Sequence, residues 1–172
     1  MSSRVVKAVH GVQQVTQDSP DEIAESSRLR EREPRDALVE RYAAAAFVDS
    51  ADGARQRRLL LRALCKSFGH GVRIGLGVLV LHPHTFEIGD AVFLGNQSFL
   101  QGRHDGHCAI GAHTWIGPQS YFDCRDLELG EYVGWGPGAK VLGSEHTGEP
   151  IVPAPPVTTT RAPERPLTPS SW

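Results

Sequence analysis

The sequence lacks three features that would each define a class of function. With 172 residues and a formal net charge of −2, it has no clustered basic excess of the kind that binds nucleic acid. Its longest apolar run, residues 77–81, is far shorter than the roughly 20 residues of a membrane-spanning helix. Residues 1–17 contain no apolar stretch typical of a signal peptide. We therefore predict neither a nucleic-acid nor a membrane partner.

Paired cysteines are also missing. The three cysteines, Cys65, Cys108 and Cys124, are odd in number and widely spaced, and no CxxC motif occurs. This pattern excludes a secreted disulfide framework. It favours free thiols in a reducing compartment, and we predict a cytoplasmic protein.

Glycine and proline are abundant, at 18 and 12 residues, and most glycines lie after residue 68. This composition suits tight turns. The chain divides into four zones: a polar leader, disordered or weakly helical, at 1–34; a helical segment at 35–68; a repetitive domain at 69–152; and a Pro- and Thr-rich tail at 153–172.

The helical segment contains two predicted helices. Asp36 is a candidate cap of the first, and residues 49–53 read as a break, so that the second begins near Ala54. Its apolar residues recur at helical spacing. Three arginines near its start are expected on a solvated face, with a partner surface as the alternative; these are Arg55, Arg57 and Arg58.

A six-residue repeat runs through the repetitive domain. An aliphatic or aromatic residue, most often followed by glycine, leads each unit, and the units come in threes. The leading residues are 88, 94 and 100, then 110, 116 and 122, then 129, 135 and 141. Ile74 and Val80 belong to an earlier, less regular turn.

Each hexad is one short strand and a corner, and three hexads close a triangular coil. The leading residues point inward and stack from coil to coil, and the fifth residue of each hexad also fits inside; the predicted fifth residues are Val92, Ser98, Thr114, Ser120, Val133 and Ala139. An antiparallel sandwich, the alternative, has a period of two. The predicted fold is mainly β: a left-handed parallel β-helix of hexapeptide repeats with an N-terminal α-helical segment and disordered tails.

Two stretches carry a resemblance to a known family. One is Leu59–Leu64 followed by Phe68-Gly69, and the other is 133–142 leading into Ser144-Glu145-His146. Together they resemble the hexapeptide-repeat acyltransferases, in particular the maltose and galactoside O-acetyltransferase group. The resemblance implies a homotrimer, acetyl-coenzyme A as the donor, a sugar or similar small acceptor, and active sites between neighbouring subunits. No metal is expected.

The resemblance also assigns candidate site residues. His146 matches the single histidine that the family uses as general base, and a neutral imidazole suits that role. Asn96 and Gln97 match the acceptor-binding position, where Gln97 replaces the usual Asn. Trp115 and Tyr121 are outward-facing residues that would line the acceptor cleft or a subunit face. No donor-binding residue is assigned.

After Pro150 the hexads stop, where relatives continue with further coils. We therefore expect an incomplete β-helix, apparently truncated at its C-terminal end, with weakened donor binding. A catalytically impaired remnant or a non-catalytic oligomeric subunit is one alternative function. The other is a carbonic-anhydrase-like zinc enzyme, for which the candidate ligands are His82, His84, His104, His107 and His113.

Overall fold

The computed structural model describes residues 14–142. Three helices come first: α1 (Pro20–Arg32), α2 (Arg35–Ala45) and α3 (Ala51–Leu64). Twelve short strands follow: β1 Ser67–Phe68, β2 Arg73–Ile74, β3 Leu79–Leu81, β4 Phe86–Ile88, β5 Phe93–Leu94, β6 Phe99–Gln101, β7 His107–Ile110, β8 Trp115–Ile116, β9 Tyr121–Asp123, β10 Asp126–Leu129, β11 Gly134–Trp135 and β12 Lys140–Val141. No helix in this part of the chain is long and apolar enough to cross a membrane.

The strands form three parallel sheets that make up the sides of a solenoid of about four coils. Sheet A has the order β1-β4-β7-β10, sheet B β11-β8-β5-β2 and sheet C β12-β9-β6-β3. The predicted mainly-β solenoid with N-terminal helices is confirmed. The predicted tails lie largely outside the described residues, as does His146.

The strand register confirms the predicted columns of leading residues. In sheet A, Ile88 pairs with Ile110 and Ile110 with Leu129. The first coil is as regular as the others and begins earlier than residue 69, because Phe68 pairs with Ile88. The complete columns are Phe68, Ile88, Ile110 and Leu129; Ile74, Leu94, Ile116 and Trp135; and Val80, Leu100, Phe122 and Val141.

The interior of the prism contains small polar residues whose hydroxyl groups are satisfied. Ser98, Thr114 and Ser120 are buried, as their fifth position in the hexad predicts. Ser98 Oγ and Ser120 Oγ donate to the carbonyl of Gly117 at 3.0 and 2.7 Å. Each hydroxyl therefore bonds to the corner of its own or a neighbouring coil, which removes the cost of burying it.

The helices close the lower end of the prism, beneath the first coil. Leu60, Leu61 and Leu64 of α3 belong to the same apolar core as the leading residues. Tyr42 of α2 donates its hydroxyl to the carbonyl of Val78 at 2.9 Å. Burial raises the pKa of this hydroxyl well above its usual range, so it remains a donor.

The described part of the leader packs on α3. Ser19 caps α1 by accepting from the Glu22 N–H, and Glu22 is paired with Arg58 at 3.0 Å. Glu25 is paired with Arg55 at 2.5 Å. The weak helix expected in this zone is thus a helix of 13 residues held by ion pairs between helices.

The expectation that Arg57 lies on a solvated face was wrong. Its side chain is buried and donates to the carbonyls of Ile74, Ala45 and Val48. Ala45 is the last residue of α2 and Val48 follows three residues later, so both carbonyls lie near the C-terminal end of the helix, where the dipole favours a cation. The helix carrying Arg57 also begins earlier than Ala54, because Ser50 Oγ accepts from the Gly53 N–H and caps it at Ala51.

The glycine that follows each leading residue of sheets A and B has a direct steric cause. A Cβ on Gly111 would lie 2.4 Å from the backbone carbon of Gly130 in the next coil. Gly130 occupies the same column position in the fourth coil, where an added Cβ meets nothing within 4 Å among the described residues. On sheets A and B, glycine after the leading residue is thus required wherever another coil stacks on it.

We predict that Gly111→Ala lowers the free energy of unfolding by about 1–3 kcal/mol, because the coils must separate to admit the methyl group. Gly130→Ala is the matched control, with an expected change within about 0.5 kcal/mol. Urea unfolding followed by circular dichroism measures both. Equal effects of the two substitutions would contradict the stacking argument.

For the buried arginine, we predict that Arg57→Met costs about 1.5–3 kcal/mol, since charge-assisted hydrogen bonds to helix-terminal carbonyls are lost. Arg55→Met, which removes an exposed ion pair two residues away, should cost less than about 1 kcal/mol. Thermal unfolding compares the two. A similar loss in both variants would show that Arg57 contributes no more than a surface charge.

Candidate functional site

The four residues predicted to bind the acceptor lie along one edge of the prism. We call the edge between sheets B and C the second edge; the first lies between A and B, and the third between C and A. Asn96 and Gln97 form the second-edge corner after β5. Trp115 is on β8 of sheet B and Tyr121 on β9 of sheet C, so they flank the corner one coil further along. The structure therefore brings the four together.

Asn96 and Gln97 have different hydrogen-bond partners at this corner. Asn96 Oδ1 accepts from the Leu76 N–H at 3.0 Å, which fixes the corner of the preceding coil. Gln97 is exposed and adopts a positive φ of 58°. Its Oε1 accepts from Gln119 Nε2 at 3.2 Å. Asn96 is thus partly committed to structure, and Gln97 presents the exposed amide.

Aromatic rings continue from Trp115 and Tyr121 into the preceding coil. The Trp115 and Phe93 rings are stacked, with centroids 5.7 Å apart and planes 17° apart. The Tyr121 and Phe99 rings are also 5.7 Å apart, tilted by 44°. Tyr121 donates its hydroxyl to Gln101 Oε1 at 2.6 Å. Each side of the second edge therefore carries an aromatic pair at the same height.

The sheets flanking the second edge differ in charge from the remaining sheet. On sheet A, Glu87 is paired with Lys66 at 2.6 Å, and His107 lies between Glu87 and Glu128 at 3.8 and 3.9 Å. On sheets B and C, the outward strand residues of the second and third coils are uncharged except for Asp123: Phe93, Trp115, Phe99, Gln101 and Tyr121. An aromatic and amide surface of this kind suits an uncharged polar ligand.

Asp123, the exception, lies at the other end of β9 toward the third edge. It is buried, and Arg125 binds it through Nε and Nη2 at 2.7–3.0 Å. In the next coil, Val141 pairs with Phe122, so the described chain ends near the third edge. His146 follows outside the described residues, and its role as general base stays a prediction.

The five histidines named for a zinc site do not come together. His82, His84 and His104 are neighbours at the third edge, with the His82 ring centroid 5.9 and 6.3 Å from the other two. His107 is on sheet A. His113 is at the first edge, where it stacks on Tyr132 at 4.6 Å. Within residues 14–142, no three side chains are already arranged to hold a metal ion.

The three cysteines are free, as predicted, and they are also buried. Burial raises the pKa of the Cys65 thiol far above its usual range. The pKa of Cys124 is raised by its contact with Cys108 and by burial. Because a nucleophilic cysteine needs an accessible thiolate, these three residues do not serve as nucleophiles.

Two further residues belong to the second edge. Gln119 occupies the same hexad position as Gln97, one coil on, and this equivalence is readable from the repeat. Phe47, which follows α2, is 65% exposed and lies over Gly77, where a Cβ would be 3.3 Å from its ring. No sequence signal links Phe47 to an edge about thirty residues away, since only the packing of the helices places it there.

Comparison of the chain with models of protein families, with curated proteins and with solved structures returned no match. What bears on the function of the chain is therefore its repeat, its fold and its second edge.

Proposed function

We propose that the protein is an acyltransferase that moves an acetyl group from acetyl-coenzyme A to a hydroxyl of a sugar or similar small acceptor. The observation that carries the proposal is the second edge. There the exposed Gln97 and Gln119 amides lie between the aromatic pairs of sheets B and C, and the charged neighbours of these pairs are Arg73, over the Phe93 ring at 5.1 Å, and Lys140, beside Tyr121 in the next coil. Sugars offer this combination, because their hydroxyl groups bond to amides and their C–H faces pack on aromatic rings.

In the proposed reaction, neutral His146 removes the proton from the acceptor hydroxyl. The acceptor oxygen attacks the thioester carbonyl, and the C–S bond breaks as the new C–O bond forms. The proton held by His146 then passes to the departing thiolate, which leaves as coenzyme A. General-base catalysis of this kind contributes about 10²–10⁴ in rate. We assign no donor-binding residue among residues 14–142.

The same geometry favours a site shared between copies of the chain. The described histidines lie at the first edge, at the third edge and on sheet A, and none of them is at the second edge. The described chain ends near the third edge. We therefore propose a homotrimer in which the second edge of one subunit meets the His146 segment of a neighbour. A cytoplasmic location remains a prediction.

A non-catalytic oligomeric subunit is the second candidate. It is favoured by the fourth coil, which pairs with the third coil on one side and has no partner strands on its other side among the described residues. The indole N–H of Trp135 in this coil is buried and finds no hydrogen-bond partner within residues 14–142. An uncovered coil end invites association with other chains.

We predict that His146→Ala lowers kcat/KM for acetyl transfer by about 10²–10⁴. The assay measures release of the coenzyme A thiol from acetyl-coenzyme A with a panel of sugars. His107→Ala, which changes an imidazole on the charged sheet, is the control and should retain wild-type activity. Unchanged kcat/KM in His146→Ala would remove the base assignment, and no turnover by the wild-type chain with any acceptor would favour the non-catalytic subunit.

Gln97→Ala tests whether the second edge binds the acceptor. Ala91 has a φ of 54° at the equivalent first-edge corner, so alanine fits the backbone. We expect KM for the acceptor to rise about 3–10-fold, the worth of one hydrogen bond, and KM for acetyl-coenzyme A to stay unchanged. His113→Ala, at a corner position on the first edge, should change neither constant. A rise in both KM values for Gln97→Ala would argue against an acceptor role.

Subunit sharing is tested by mixing two impaired chains, His146→Ala and the double variant Gln97→Ala/Trp115→Ala, after unfolding and refolding them together. In a shared site, about a quarter of the interfaces in an equal mixture combine an intact base with an intact acceptor edge. Activity should therefore reappear on mixing. Mixed trimers without recovered activity would place both parts of the site in one chain.

A further inference from the structure

Phe47 is a large apolar residue that the fold places at the lower end of the second edge. It follows α2, and its side chain is 65% exposed. A Cβ built on Gly77 would lie 3.3 Å from Phe47 Cε1 and 3.4 Å from Gln97 Cγ. The Phe47 ring and the Gln97 side chain therefore approach the same point of this corner, with no other side chain between them.

The backbone on both sides of Phe47 is fixed by hydrogen bonds. The carbonyl of Ala46 accepts from the Gly77 N–H at 2.6 Å, which ties this segment to the second-edge corner of the first coil. The carbonyl of Val48 accepts from Arg57 Nη1 at 2.9 Å. The exposed ring is therefore carried on a backbone that is already held in place, so a ligand that binds to it loses little affinity to ordering of the chain.

The fold does not require an aromatic ring at this position. Ala46, the preceding residue, is fully buried, whereas Phe47 is not among the residues of the apolar core. Single exposed apolar residues are ordinary on protein surfaces. What distinguishes Phe47 is its fixed backbone and its place at the foot of a column of amide side chains.

The corner residues of the second edge form this column from coil to coil. All four have a positive φ, between 57° and 71°: Gly77, Gln97, Gln119 and Gly138. The column carries an amide in the second and third coils and no side chain in the first and fourth. In the first coil, Phe47 supplies a side chain from outside the repeat.

The aromatic surface beside the column also extends down to Phe47. The outward residues of the flanking strands are aromatic in the second and third coils: Phe93, Phe99, Trp115 and Tyr121. In the first and fourth coils they are not aromatic: Arg73, Leu79, Gly134 and Lys140. With Phe47 as the ring of the first coil, the aromatic surface covers three coils. These are spaced by about 4.8 Å, so it extends over about 10 Å along the prism.

We propose that Phe47 determines acceptor specificity by binding the second unit of an elongated glycoside, while the Gln97 and Gln119 amides bind the sugar that is acetylated. This inference rests on the proposed acyl transfer. An acceptor that contacts both Gln119 and Phe47 must extend over about 10 Å, which is longer than one pyranose ring. The second unit must present an apolar face to Phe47, either an aromatic aglycone or the C–H face of a second sugar.

The proposed base sets the order of the two units along the edge. His146 follows the fourth coil in the chain, so the reacting hydroxyl is placed at the Gln119 end and the second unit at the Phe47 end. Phe47 then contacts no reacting atom. A contact of this kind is equally strong in the ground state and the transition state, so its loss raises KM for the acceptor and leaves kcat little affected.

The test compares three acceptors that share one sugar: its methyl glycoside, its phenyl glycoside and a disaccharide of it. In the wild type, KM for the phenyl glycoside or the disaccharide should lie about 3–10-fold below KM for the methyl glycoside, the worth of one aromatic contact. Phe47→Ala should abolish this preference through KM. Phe47→Tyr, which keeps the ring, and Val39→Ala, which truncates an exposed apolar residue of α2, should retain it. A preference for the phenyl glycoside alone identifies an aromatic aglycone, and a preference for the disaccharide identifies a second sugar.

Saturation-transfer NMR supplies a readout that needs no turnover, because it reports which ligand protons contact the protein. Protons of the second unit should be saturated in the wild type and in Phe47→Tyr, and only weakly in Phe47→Ala. Circular dichroism confirms that each variant is folded.

The outcomes separate the role of Phe47 from acyl transfer itself. Turnover without a preference in the wild type, or with the same preference in Phe47→Ala, overturns the role of Phe47 and leaves acyl transfer standing. Saturation that depends on Phe47, without turnover of any acceptor, overturns acyl transfer and leaves a glycoside-binding edge. Neither turnover nor saturation in the wild type overturns both.

Discussion

Stacking of one coil upon the next is the interaction on which the rest of this structure depends. The N–H groups of Gly69, Gly89 and Gly111 each donate to a carbonyl of the following coil at 2.8 Å. A coil in isolation satisfies neither its backbone nor its apolar face, so each is stable only between neighbours. The close approach that these bonds require excludes a Cβ at the corner. The repeat of glycines is therefore a consequence of backbone pairing.

A stack of coils has two ends, and the described chain treats them differently. Helix α3 and Tyr42 cover the first coil with apolar side chains and a hydrogen bond to its backbone. Two arginines hold the helices in place by bonding to carbonyls at their C-terminal ends, the buried Arg57 at α2 and Arg30 at α3. At the other end, the Trp135 ring lies edge-on to Phe122 at 5.5 Å. It is the largest residue of the sheet B column and covers part of the core there.

The prism places residues of different chemical character on different edges and sheets. Its second edge is an aromatic and amide surface, sheet A carries ion pairs, and the third edge carries the longer connections and a cluster of imidazoles. Because an edge repeats every coil, a residue type placed there becomes a ladder, as Gln97 and Gln119 show. The proposed acyl transfer uses one ladder and requires no concave pocket within a single chain.

The sequence by itself determined the columns of leading residues, because an inward-facing residue at every sixth position produces a six-residue periodicity. This periodicity also determined the mainly-β solenoid. It also determined that Asn96, Gln97, Trp115 and Tyr121 share an edge, since hexad position fixes edge and height. The fate of Arg57 depended on carbonyls contributed by α2 and β2, which no local pattern records. The meeting of His82 with His104 likewise depended on the stacking of connections of different length. The repeat encodes the regular strands through a local rule, and only the tertiary structure decides which groups meet where the chain departs from that rule.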